Sequence, residues 1–310
     1  MMVRVMRNWR LTWWLFALWT RARGLKSRLA HNVSGRKNHP PRSPHVLIVC
    51  AHHNGSDWLR ACVNSVLAQD FSDWTLMLID DASTDDSVAV IGQLASKDAR
   101  IRGWALEKNV GAYIARNTAV ALASGALLVQ ADAGVPWTHI SLIDSDDVAA
   151  PNWLSHMLEV LADDQGLVRS VLERRDIDLI KTRRRYHSYC QTLYSRQLWE
   201  ALGGFHPVRV AADDELLVRA HRFISLTNAL SRPPSNALHP RQFVSRKSWK
   251  TAQYMRTHGH NASDEQPIER KRWTTARRRE IQAATTPEQL QLKPVEIAMA
   301  RPVIGIESEC

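Results

Sequence analysis

Acidic residues are missing from the first 56 positions of this 310-residue chain; the first is Asp57. Ten of the 41 basic residues fall in that stretch, from Arg4 to Arg42, and the 31 that follow match the 31 acids. The formal charge of +10 therefore describes a leader, and the body behind it is neutral. A neutral body lacks the broad cationic face that holds nucleic-acid backbones. The clusters Arg270-Lys271-Arg272-Trp273 and Arg277-Arg278-Arg279 keep a nucleic-acid-binding role as an alternative, but aromatics interleave with them only at Trp273. Cysteine is scarce: Cys50, Cys62, Cys190 and Cys310 are isolated and fit no metal-ligand spacing, which excludes a zinc ribbon and indicates a reducing compartment. Cys50 and Cys62 sit among apolar residues and are expected to be buried. Asn32-Val33-Ser34 and Asn261-Ala262-Ser263 match the glycosylation triplet, which is too short a pattern to indicate secretion.

Long hydrophobic runs are also lacking. The leader's Leu11–Trp19 stretch, flanked by Arg10 and Arg21, is too short to span a bilayer. Its tryptophans and arginines suit a membrane interface, so peripheral contact at the cytoplasmic face of the inner membrane is one expectation; a disordered basic arm or a capping helix is the other. No small-residue cleavage site follows to make it a signal peptide. Residues 20–45, with Pro40, Pro41 and Pro44, read as a linker. The expected organisation is a leader and linker over 1–45, a catalytic domain over 46–240 and a basic, partly disordered extension over 241–310.

From Val46 the pattern becomes regular. Val46-Leu47-Ile48-Val49-Cys50 and Leu76-Met77-Leu78-Ile79 are short apolar runs of the kind that form buried parallel strands, and Ile101–Leu106 is a third strand. Between them, Leu59, Cys62, Val63, Val66 and Leu67 recur at helical spacing, a helix is expected over Thr84–Ser96, and another follows Asn109-Val110-Gly111. Alternating strands and helices imply right-handed crossovers and an open, mostly parallel α/β sheet. Further on, Tyr189–Tyr194 reads as a strand, a short helix runs to Leu202, and Asp213-Asp214-Glu215 opens another helix. The tail from Thr285 is weakly patterned.

In such sheets ligands bind beyond the carboxyl ends of the strands. Three strand ends here carry polar clusters: His52-His53-Asn54, Asp80-Asp81 and Asp144-Ser145-Asp146-Asp147. Clustered carboxylates seat a hard divalent cation, Mn²⁺ or Mg²⁺, which brings a polyphosphate with it. Asp147 is expected to start the following helix. His52 and His53 line a base pocket, or His53 satisfies backbone groups there. Asp132 reads as a loop residue, and His258-Gly259-His260 as an exposed loop, because its spacing makes no tight chelate. Ser225-Leu226-Thr227 either line an acceptor side or are ordinary scaffold.

Four segments carry a resemblance: Ile79-Asp80-Asp81-Ala82-Ser83-Thr84-Asp85; Asn109-Val110-Gly111-Ala112 with Ala115-Arg116-Asn117; Asp144-Ser145-Asp146-Asp147 with Pro151; and Leu202-Gly203-Gly204-Phe205 with Asp213. In order and spacing they resemble a family 2 inverting glycosyltransferase with the GT-A nucleotide-diphospho-sugar transferase fold. The resemblance implies nucleotide binding by Asn54, Asp81, Arg116 and Asp144, metal binding by Asp144 and Asp146, and Asp213 as general base, with Asp214 its rival. It differs at Ala51-His52-His53-Asn54, where the family has a Pro-x-Tyr-Asn-like turn, at Ala82 in place of Gly, at Ala212, and in an inserted Gln130–Pro136.

What the resemblance implies is an enzyme that moves a sugar from a nucleotide-sugar donor, with UDP the expected nucleotide, to a saccharide or lipid-linked acceptor in cell-surface polysaccharide synthesis. The chemistry asks for the same groups: positive charge on the departing diphosphate and a carboxylate to take the acceptor proton. A nucleotidyltransferase is disfavoured because Ala51–Asp57 has one Gly and no Lys where a phosphate loop would need both. A non-catalytic nucleotide-sugar-binding scaffold is the remaining alternative.

Overall fold

The computed structural model describes residues 43–125, 134–161, 166–175, 182–209, 211–230, 244–256, 266–292, 298 and 300–303. The leader through residue 42, Asp132, His258-Gly259-His260 and both glycosylation triplets lie outside the described residues.

The chain alternates as expected through β1 (Val46–His52), α1 (Ser56–Leu67), β2 (Trp74–Asp80), α2 (Ser87–Lys97), β3 (Ile101–Leu106), α3 (Ala112–Ala123) and β4 (His139–Leu142). Strands β4, β1, β2 and β3 lie side by side and parallel. All seven residues of β1 and of β2 are buried. Leu47, Val49, Met77 and Ile79 face one layer with α3, while Val46, Ile48, Leu76 and Leu78 face the other with α1 and α2. Burial on both faces is why these strands read as unbroken apolar runs instead of alternating ones. Each such side chain contributes about 1.5–3 kcal/mol on burial.

Beyond β4 the sheet becomes mixed. β5 (Asp147–Ala149), α4 (Trp153–Leu161), β6 (Gly166–Arg175), β7 (Thr182–Ser195), α5 (Arg196–Leu202) and α6 (Ala212–Leu230) follow. β7 pairs antiparallel with both β4 and β6. Asp147 does not begin a helix: it opens β5, and α4 starts only at Trp153. The pairing that overrides its capping preference is with β8 (Val244–Arg256), whose Met255 lies opposite Asp147; Ser65 on α1 accepts the Ala149 N–H at 2.9 Å.

The segment past residue 241 is knitted into the same sheet and layers. β8 lies between β5 and β6. α7 (Gln266–Ala283) packs against α6, and β9 (Ala300–Pro302) pairs antiparallel with β3, covering that edge. The weakly patterned tail also holds a 3-10 turn at Pro287–Leu290, where Gln289 Oε1 accepts the N–H groups of Thr285 at 2.7 Å and Thr286 at 3.2 Å. Among the described residues no helix is long and apolar enough to cross a membrane.

Two strand histidines make the fold acid-sensitive. Burial pushes His139 down to about 4, and burial also lowers His52 against the opposing pull of Asp80 and Asp85. In the unfolded chain both titrate near 6.5. Below that pH the unfolded chain takes up protons that the fold refuses, so stability is lost as pH falls from about 6.5 towards 4. The His139 shift corresponds to about 3 kcal/mol over the whole interval. The urea midpoint is expected to drop between pH 7.5 and pH 5 and to drop less in His139→Gln; a pH-independent midpoint would contradict this.

Candidate active site

The carboxyl ends of β1 and β2 lead into loops that tie each other down. Asn54 adopts a left-handed conformation, φ 57°, and its side-chain oxygen accepts the Thr84 N–H at 2.8 Å. Asp85 accepts the Gly55 N–H at 2.7 Å and the Ser87 hydroxyl. Burial opposes ionisation of Asp85, but hydrogen bonds from the Ser87 hydroxyl and from the backbones of Gly55, Ser87 and Ser56 outweigh it and hold the carboxyl at about 2. Because the Ser87 hydroxyl donates to Asp85, it accepts from His52 Nε2 at 2.8 Å, which fits the neutral imidazole. His53 Nδ1 contacts the Asp81 carbonyl at 2.9 Å, so it satisfies the backbone.

Asp81 is buried, and its two oxygens accept the N–H groups of Val110 at 2.7 Å and Gly111 at 2.8 Å. In this state Asp81 therefore holds the loop before α3. Gly111 permits that loop, since its φ of 92° suits a residue without Cβ.

α3 then presents Tyr113 and Arg116 three residues apart, hence on one face. Arg116, 6% exposed in its side chain, pairs with Asp144, and its guanidinium lies 5.5 Å from the Tyr113 ring centroid and 5.8 Å from that of Phe205. The Tyr113 hydroxyl donates to Asp213 Oδ1 at 2.7 Å. One helical turn thus connects Asp144, at the end of β4, with Asp213, at the start of α6.

The acidic stretch is a tight turn closed by Asp147 N–H to Asp144 C=O at 2.9 Å. Asp144 and Asp146 are half-buried, while Asp147 is fully buried and accepts a hydrogen bond from Gln191. Burial, reinforced by Asp144 and Asp146, pushes the Asp147 carboxyl well up, with Arg116 opposing. Cys62 donates to the Asp144 carbonyl at 3.5 Å. Its thiol is pushed up by its hydrogen bond with Cys50 and by burial. Both cysteines are free and buried, as their neighbours in sequence led one to expect.

The Gly203-Gly204-Phe205 turn fixes the other side. Gly203 and Gly204 have φ of 79° and 84°, and a Cβ on Gly204 would lie 2.7 Å from Asn117 Oδ1. That side chain is committed: Asn117 accepts the Phe205 N–H at 3.0 Å and donates to its carbonyl at 2.9 Å. Beneath the turn, Arg219 donates to the carbonyls of Leu202 at 2.5 Å and Gly204 at 2.6 Å, and pairs with Glu215 at 2.9 Å. Leu292 closes the turn from outside, its N–H donating to Leu202 C=O at 3.1 Å.

Three consecutive carboxylates at the start of α6 have different partners. Asp214 pairs with Arg278 at 2.7 Å, and Glu215 with Arg219 and with Arg277 at 3.3 Å. Asp213 is held by a neutral phenol. Asp213 and Asp214 therefore differ in the charge of their partner.

Among the described residues no cluster of three or more His, Cys, Asp or Glu is placed to hold an ion unaided. Asp144 and Asp146 nevertheless fit a small hard cation that takes one or two carboxylates and fills its shell with water and phosphate oxygens.

Sequence reasoning placed Asn54, Asp81, Arg116, Asp144, Asp146 and Asp213 at strand or helix ends around one end of the sheet. It missed Tyr113, Gln191, Arg219, Arg277 and Arg278. Only Tyr113 left a signal, its helical spacing from Arg116. Ser225-Leu226-Thr227 lie within α6.

The model of the family "Glycosyl transferase family 2" matches residues 46–218. The UDP-Glc:alpha-D-GlcNAc-diphosphoundecaprenol beta-1,3-glucosyltransferase WfgD of Escherichia coli is 32% identical over 115 residues, 37% of this chain and 38% of that protein. Chondroitin synthase of Escherichia coli is 31% identical over 137 residues, 44% of this chain and 18% of that protein. The chain spans less than half the length of the curated relatives it matches. Among solved structures, the mannosyltransferase PcManGT from Pyrobaculum calidifontis, in complex with GDP-Man and Mn²⁺, superposes with a TM-score of 0.54 at 13% identity, covering 91% of this chain and 76% of that one. Staphylococcus aureus TarS in complex with UDP-GlcNAc gives 0.50 at 16% identity, covering 70% and 60%. Those identities speak to the fold, which is GT-A. Since the family match runs from β1 into α6 and takes in both the Asp144 turn and Asp213, the chain belongs to glycosyl transferase family 2.

Proposed function

We propose that the chain transfers a sugar from a nucleotide-sugar donor to a saccharide or lipid-linked acceptor, with inversion, in the synthesis of a cell-surface polysaccharide. The observation that carries this reading is the α3 connection, in which Arg116 reaches Asp144 and Tyr113 reaches Asp213. It sets a pole for a departing diphosphate beside a carboxylate free of a cationic clamp. UDP as the nucleotide is supported by the name of the WfgD relative and by the UDP-GlcNAc complex of TarS. Lipid-linked and saccharide acceptors are supported by the names of WfgD and chondroitin synthase. A cytoplasmic location, with the leader touching the inner membrane, remains part of the proposal.

In the reaction, Asp213 takes the proton of the acceptor hydroxyl, whose oxygen forms the new bond to the anomeric carbon from the face opposite the leaving group. The bond between that carbon and the diphosphate oxygen breaks, and its electron pair leaves with the nucleoside diphosphate. Arg116 stabilises the charge that develops there. Asp144 and Asp146 would hold Mn²⁺ or Mg²⁺, which supplies further charge stabilisation at the diphosphate; the Mn²⁺ in the PcManGT complex supports that choice. Asn54 and Asp81 shape the loops that receive the nucleotide.

Purified chain with Mn²⁺ and a panel of UDP- and GDP-sugars, with and without saccharide acceptors, is expected to release nucleoside diphosphate. Asp146→Ala is expected to lower that rate by about 100-fold or more, and chelation to abolish it. Absence of turnover with every donor, donor hydrolysis included, would overturn the proposal.

A further inference from the structure

Tyr113 is tied to more of the site than any other side chain that sequence reasoning overlooked. Its hydroxyl donates to Asp213 Oδ1 at 2.7 Å. Its ring lies 5.2 Å from that of Phe205, tilted by 42°, and beneath the Arg116 guanidinium at 5.5 Å. Phe205 is in turn gripped by Asn117 from the same helix and packs edge-on against Trp199 at 5.6 Å. The phenol is therefore braced on one side by the Gly-Gly-Phe turn and on the other by the cation that faces Asp144.

Asp213 has no such bracing of its own. It sits in the first turn of α6, half-buried, while its neighbours Asp214 and Glu215 are fixed by arginines. A carboxylate on a free rotamer presents either oxygen in many directions. One hydrogen bond from a braced donor fixes Oδ1 and leaves Oδ2 to take a proton.

We propose that Tyr113 is a positioning residue for the transfer reaction. Its hydroxyl orients Asp213, and its ring couples that orientation to the Arg116–Asp144 pole, so that base and leaving-group stabiliser are set by one helical turn. The role assigned to Tyr113 runs through Asp213. The inference rests on the proposed transfer reaction.

The test is Tyr113→Phe, which removes the oxygen and keeps the ring, so that the contacts with Phe205 and Arg116 survive. Measured by nucleoside diphosphate release at saturating donor and acceptor, kcat is expected to fall about 10- to 100-fold, with donor KM within about twofold of wild type. The thermal midpoint is expected to stay unchanged. In an Asp213→Asn background the same substitution is expected to cost less than about twofold, because two residues acting as one unit are not additive.

A donor KM raised in parallel with the loss of kcat would overturn the inference. So would a rate loss accompanied by a lower thermal midpoint, which is the mark of mere packing, or full multiplicative loss in the double variant. A wild-type chain without any turnover overturns the proposed function itself, and this inference with it. Wild-type turnover with an unaffected Tyr113→Phe overturns the inference alone.

Discussion

Asp213→Asn is expected to slow transfer by about 1,000-fold, within the 10²–10⁴ range that a general base supplies, while leaving donor KM and the thermal midpoint near their wild-type values. The amide is nearly isosteric with the carboxylate, and its oxygen can still accept the Tyr113 hydrogen bond, so the local structure has little reason to change. What it loses is the capacity to take a proton. Asp214→Asn is the informative control. Asp214 is paired with Arg278, whose side chain is half exposed, and an ion pair of that kind contributes about 1 kcal/mol or less. Its rate is expected to stay within a few-fold of wild type. Steady-state kinetics on both variants decide the assignment: a greater loss in Asp214→Asn would make Asp214 the base.

The largest stability effect is expected at Arg219. Its side chain is fully buried, with bonds to Leu202 and Gly204 carbonyls, a longer contact to Leu290 C=O at 3.5 Å, and the Glu215 carboxylate. Arg219→Met is expected to cost about 3–5 kcal/mol, because it leaves the buried Glu215 charge with only the longer Arg277 contact and takes a donor from the Leu202 and Gly204 carbonyls. For a chain of this size that lowers the thermal midpoint by about 10 °C. Lysine is not expected to rescue it, since a single ammonium cannot reproduce the planar fork that reaches two carbonyls and a carboxylate at once. Adding Glu215→Leu to Arg219→Met is expected to recover part of the loss by removing a buried charge whose nearest partner is gone. Urea unfolding of the two variants checks both statements. A loss below about 1 kcal/mol in Arg219→Met would show that the pair contributes little.

Much of the fold was legible wherever burial on both faces of a strand left an uninterrupted apolar run. Val46–Cys50, Leu76–Ile79 and Ile101–Leu106 all became strands, the last over the expected residues. The carboxyl-end loops were legible because Asp, Asn, Ser and Gly cluster where the backbone must turn. Legibility failed where a distant partner decides the outcome. Asp147 looks like a helix start, and only β8, more than a hundred residues on, makes it a strand. β9 is three residues long and owes its existence to the edge of β3. α7 shows no apolar stripe, because polar and basic residues surround it and much of its attachment is through Arg277 and Arg278. The turn after it was readable in principle from Thr286-Pro287-Glu288-Gln289, an N-cap followed by proline and a back-bonding glutamine.

The candidate site divides in the same way. Asp144, Asp146 and Asp213 were found from local composition at element ends. Arg116, the partner of Asp144, was also found, but Tyr113 and Gln191 were not, because Tyr113 meets Asp213 across 100 positions and Gln191 meets Asp147 across 44. Composition marks which residues carry charge; topology alone assigns each its counterpart.

The closure of the Gly-Gly-Phe turn by Leu292 sets an order of events during biosynthesis. The turn is made early, but the N–H that caps Leu202 C=O arrives roughly 90 residues later, on the order of ten seconds at ordinary elongation rates. Until then the segment carrying Asp213 lacks one of its struts, along with the α7 arginines that hold Asp214 and Glu215. A nascent chain short of that point has the donor-side strands but an unfinished base. Translation that stalls before residue 292 is therefore expected to yield a protein able to fold its first strands and unable to turn over sugar, so that activity appears only once residue 292 has joined the fold.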